Sequence, residues 1–123
     1  MISVQRTSLP VSYEKCDQTV TVYHWDDDHV RRTVFKNAFY DLKTTQTVGK
    51  NGEGGQNTFL LVIPCSKKSV FKGDKVLLGE GPEIVTREEW AALIPAKVDG
   101  LSVVRYVDCK YWRGKMCHLE AGG

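Results

Sequence analysis

A chain of 123 residues with 41% hydrophobic content has the length of one domain and the apolar material for one modest core. Its net charge of +2 is too small to argue by itself for nucleic acid, a membrane surface or an acidic substrate. No stretch reaches the roughly 18 to 20 apolar residues of a membrane span, and the first residues carry no signal-peptide apolar run, so a cytosolic protein is expected. The charge is unevenly spread: from Lys43 to Lys75 six Lys face two acids, Glu53 and Asp74, while both flanks are slightly acidic. Cys16, Cys65, Cys109 and Cys117 form no C-x-x-C pair and read as free thiols of a reducing compartment.

Met1 to Asp17 is polar, lacks periodicity and contains Pro10, which predicts an N-terminal arm, taken as residues 1–18, ordered only by a partner. Residues 19–123 then form a single β-rich domain. Thr19 to Trp25 alternates with period 2: Val20, Val22 and His24 point one way, Thr21, Tyr23 and Trp25 the other. Asp26-Asp27-Asp28 is the turn, and Val30 to Tyr40 returns as the second strand of a hairpin. Asp41 to Asn57, rich in Gly, Lys, Thr, Asn and Gln, offers only Leu42 and Val48 for burial and predicts a long mobile loop. Thr58 to Pro64 is a continuous apolar run, expected as a strand buried on both faces.

Gly73-Asp74 opens a short strand, Lys75 to Leu78, and Gly79-Glu80-Gly81-Pro82 turns the chain again. Thr86 and Glu89 form a T-x-x-E capping box at the start of a helix whose Trp90, Leu93 and Ile94 share one face and dock it on a sheet. Leu101 to Asp108 and Lys115 to Glu120 complete the strands, joined by a hairpin turn at Tyr111-Trp112-Arg113-Gly114. The sum is mainly β: a small β-barrel or sandwich of about six strands with one short helix, a long Gly-rich loop and an N-terminal arm.

Residues with chemistry to offer lack the spacing that chemistry needs. His24, Asp26, Asp27, Asp28 and His29 hold oxygen and nitrogen donors but neither a calcium ladder nor a zinc signature, so they read as a solvated acidic turn. Adjacent Cys117 and His118 would point to opposite faces of a strand, which works against joint zinc ligation with Cys109. Gly49 to Gly55 has the composition of a phosphate loop without the Gly-Lys-Ser/Thr ending or a following helix. No nucleophile elbow frames a Ser or Cys, so no catalytic residue, metal or cofactor is expected. Lys50, Lys67 and Lys68, in loops, can face phosphates without reading bases. Phe35, Phe39, Tyr40 and Phe59 near Lys36, Lys43 and Lys50 keep open a small β-barrel module for nucleic acid.

The order of T-V-T-V-Y-H-W, F-L-L-V-I-P, G-D-K-V-L-L-G-E-G-P-E-I, T-R-E-E-W and the closing Y-V-D-C-K-Y-W-R-G-K-M-C-H-L-E-A-G-G resembles small minor capsid or head-tail joining proteins of tailed bacteriophages and prophages. The resemblance runs from Thr19 to Gly123. It implies a non-enzymatic structural protein that forms a homo-oligomeric ring, dodecameric or hexameric, between the portal or adaptor and the tail. Such a protein resides in the host cytoplasm before assembly and in the virion neck afterwards. Likeness to stopper, or head-completion, proteins makes Asp41 to Asn57 the loop entering the DNA channel. Lys43, Gly49, Lys50, Asn51, Gly52, Gly54 and Gly55 would then make non-specific contact with packaged DNA. Trp25, Tyr111, Trp112 and Glu120 are the candidate subunit contacts, and an adaptor or tail-terminator ring is the neighbouring alternative.

Overall fold

The computed structural model describes residues 13–45, 56–95 and 97–123. Seven antiparallel strands make one sheet: β1 (Gln18–Asp26), β2 (His29–Thr45), β3 (Gln56–Pro64), β4 (Lys75–Leu78), β5 (Leu101–Val103), β6 (Tyr106–Trp112) and β7 (Lys115–Gly122), in the order β5-β4-β1-β2-β3-β7-β6. Among the described residues one helix, α1 (Arg87–Ala92), lies between β4 and β5. The mainly-β expectation holds, with the sheet curled into a half-barrel.

Two corners bend the sheet. The first half of β2 pairs with β1 and the second half with β3. Between Gln18↔Ala38 and Val20↔Phe35 the β2 side carries one extra residue, a bulge that bends and twists the strand between its two partners. The second corner falls where one strand was expected over Leu101 to Asp108. That run is broken at Val104-Arg105, and its two halves occupy opposite edges of the sheet. Val104 N–H donates to Asp74 O and Arg105 N–H to Gly122 O, both at 2.8 Å, so two successive residues tie the β4 side to the β7 side. Strand propensity is continuous through V-V-R-Y; the break falls where the chain passes from one edge of the curled sheet to the other.

The alternation expected in β1 is present. Val20 and Val22 enter the main core with Leu61, Ile63, Val76 and Leu119, while Tyr23 joins a second cluster with Ile84, Leu93 and Leu101 on the other side. Each fully buried aliphatic side chain contributes about 1.5–3 kcal/mol relative to exposure. α1 covers this second cluster through half-buried Trp90 and the buried residue after it, Leu93. Its expected cap is present in full. Glu89 N–H donates to Thr86 Oγ1 at 3.0 Å, and the Glu89 carboxylate accepts from Thr86 N–H at 3.0 Å and Val85 N–H at 2.8 Å.

Four further expectations are corrected. β2 and β3 run five and two residues into the segment 41–57, so Asp41–Thr45 and Gln56–Asn57 are strand. Leu42 explains part of this, because its side chain packs against the main core. β3 is buried on one face only: Leu61 is 0% exposed and Leu60 37%, because an antiparallel sheet needs cover on a single side. The last hairpin turns on Arg113-Gly114 alone, both at positive φ (56° and 81°), so Tyr111 and Trp112 belong to β6. Gln18, placed in the N-terminal arm, opens β1.

Candidate functional site

The β2–β3 hairpin outruns its neighbours. Pairing of β1 with β2 stops at Gln18↔Ala38, where Gln18 Oε1 accepts from Tyr40 N–H at 2.9 Å. Pairing of β7 with β3 stops at Leu60↔Gly122, followed by a bond from Phe59 N–H to Gly123 O at 3.1 Å. The pairs Lys43↔Thr58, Thr44↔Asn57 and Thr45↔Gln56 therefore make a two-stranded ribbon without a third strand among the described residues. Residues 46–55 join its two ends in the sequence. Lys43 stands on this ribbon, exposed, with Nζ 4.0 Å from the Asp41 carboxylate. Gly49, Lys50, Asn51, Gly52, Gly54 and Gly55 lie outside the described residues.

The outer face of the β3–β7–β6 side carries apolar groups. Leu60, Gly122 and Tyr106 share one cross-strand row, with Leu60 37% and Tyr106 51% exposed. A Cβ at Gly122 would stand 2.6 Å from the Tyr106 hydroxyl and 2.7 Å from Phe59 O, so glycine there lets the tyrosine ring lie close over the strand.

Along the same face, residues Tyr13 to Cys16 fold over a cavity of about 420 Å³ lined also by Phe39, Val62, His118 and Glu120. His118, only 2% exposed, has both ring nitrogens engaged: Nδ1 lies 2.7 Å from the Tyr13 hydroxyl and Nε2 3.0 Å from Glu120 Oε2. A neutral ring satisfies both by donating from Nε2 and accepting at Nδ1. Burial, and after it the negative charge that Cys117, Cys16, Cys65 and Glu120 can carry beside it, push the Tyr13 hydroxyl above its ordinary pKa. The Tyr13 bond fastens the segment before β1 onto β7. Sequence reading marked Glu120 as a surface contact and missed Tyr13 and His118 as its companions, since 105 residues separate that pair.

The other proposed contact residues divide. Trp25 is half-buried, with its ring 5.7 Å from Trp90 and 5.9 Å from the Arg87 guanidinium. Trp112 is half-buried, with the Arg113 guanidinium 5.7 Å from its ring and Nε1 buried without an acceptor among the described residues. Tyr111 is 63% exposed. The four cysteines are free thiols, and Cys65 N–H donates to Cys117 O at 3.3 Å. Among the described residues no group of His, Cys, Asp and Glu is arranged to hold a metal ion. Asp74, expected only as a turn residue, is 2% exposed; it shares a 2.6 Å hydrogen bond with His24 Nδ1 and accepts from Phe71 N–H at 2.9 Å. No helix among the described residues is long and apolar enough to cross a membrane.

No protein-family model, no curated protein and no solved structure matches this chain.

Proposed function

We propose that this chain is a non-catalytic structural protein of a tailed-phage virion neck, forming a homo-oligomeric ring at the portal-tail junction and helping to close the DNA channel. The observation that carries this reading is the β2–β3 ribbon, whose last pairs extend past both neighbouring strands. A ribbon with unpaired edges offers backbone donors and acceptors to a neighbouring chain. Its connecting segment 46–55 holds four glycines and Lys50, a composition suited to non-specific phosphate contact.

The exposed apolar side chains support ring formation. Leu60 and Tyr106 lie on the β3–β7–β6 side, while Leu78 (51% exposed) and Val85 (71%) flank the segment that follows β4. Two different patches on one subunit suit a heterologous contact, the kind that closes rings when the rotation allows. Electron microscopy of the purified chain with portal present tests the assembly. Rings seated on portal are expected; a strict monomer that joins neither portal nor tail rejects it. Deleting Gly49 to Gly55 tests the channel role: particles should still assemble yet lose packaged DNA, and unchanged retention removes the segment from the mechanism.

A further inference from the structure

At the end of β3 away from the ribbon, the chain forms a second basic feature that does not depend on the neck reading. Cys65 to Lys68 leaves β3 there and meets the β6–β7 hairpin, enclosing an open cleft of about 520 Å³. Lys67, Lys68 and Lys115 line it together with Tyr111, Cys109 and Met116, and among the described residues no acid does. Among the described residues these three lysines enter no ion pair. The acid nearest in sequence, Asp108, is held by Lys110 at 2.7 Å. Lys68 is also positioned, with Nζ 5.2 Å from the centre of the Phe71 ring. Tyr111, at 63% exposure, is an aromatic face standing free beside three cations.

We propose that this cleft binds single-stranded nucleic acid, with the lysines on the phosphodiester backbone and one unpaired base stacked on Tyr111. Cations without acidic neighbours gain most from phosphates, because binding releases the counterions condensed on the polyanion. An exposed ring beside such a groove supplies a stacking platform that accepts any base. The half-buried ring of Trp112, next in β6 and covered by Arg113, belongs to the wall of the hairpin, which leaves Tyr111 as the stacking residue.

Fluorescence anisotropy of the full chain with a labelled mixed-sequence single strand, and with its duplex, tests the assignment over a salt series without portal or tail present. Lys67→Gln/Lys68→Gln/Lys115→Gln should weaken single-strand binding by tenfold or more at low salt. It should also lower the slope of log affinity against log salt by about 2, at roughly 0.7 per phosphate on a single strand. Tyr111→Ala should weaken single-strand binding at least about fivefold, the low end of one lost stack, with the slope unchanged. Lys97→Gln, remote in sequence from the cleft, should alter neither affinity by more than a small factor. Equal affinity for duplex, or for polyglutamate, overturns the proposal, as does a triple variant that folds and binds like the parent. Failure here leaves ring assembly untouched, since assembly is read by microscopy rather than by oligonucleotide binding.

Discussion

Asp74 illustrates how far a single residue's role extends beyond its local signal. Beside Gly73, which takes φ 93°, it was legible as a turn former. Its burial, and its bond to His24 from a strand 50 positions earlier, were not. Burial raises its carboxyl above the ordinary value, and the bonds from His24 and Phe71 N–H only partly offset this. The native chain therefore holds this proton more tightly than the unfolded chain. The associated stability is fully present below the ordinary carboxylate range and is lost as pH rises through the raised native pKa. Asp74→Asn should flatten that dependence in urea titrations repeated across acidic pH. Asp74→Ala strands the Phe71 amide and the His24 ring and should cost about 2 kcal/mol at neutral pH; a loss no larger than that of the Asn variant counts against the hydrogen bonds.

At the level of elements, α1 was the most legible, because capping is local chemistry. Thr86 and Glu89 lie three residues apart and need no distant partner. Thr86→Ala should lower stability by about 1 kcal/mol in chemical denaturation. Glu89 is held below its usual pKa by the Thr86 and Val85 amides, so its contribution is present above the ordinary carboxylate range and lost as pH falls through the lowered native value. Glu89→Gln should remove that acid-side loss. What sequence could not supply is the other end of the helix. No basic residue lies in its last turn, yet Lys75 of β4 reaches across to donate to Trp90 O at 2.7 Å and lies 4.2 Å from the Trp90 ring centre. That lysine complements the carbonyl end of the helix dipole from a different element.

For the whole molecule, the decisive contacts join residues that pattern analysis cannot pair. Tyr40, read as part of an alternating strand, reaches through the core to Ser102 Oγ at 2.7 Å and Gly100 O at 3.3 Å, linking the bent strand β2 to the edge strand β5. Tyr40→Phe removes both bonds at once and should cost about 1–2 kcal/mol. Amide exchange at Leu101 and Val103 should rise more than at Leu61 and Ile63, because β5 is held on its far side by that hydroxyl. Uniform loss of protection would instead mark Tyr40 as a general core residue. The β1–β2 hairpin, the short strand β4, the capped helix and the β-rich class were legible in the sequence alone, since period-2 alternation, turn glycines and capping boxes act within a few residues. Strand order, the break at Val104-Arg105, the ribbon past Ala38 and Leu60, and the gathering of Lys67, Lys68, Lys115 and Tyr111 were decided only by the tertiary structure. Each depends on pairing between distant segments, and the hydrophobic pattern that drives such pairing is satisfied equally well by many partners until the half-barrel forms.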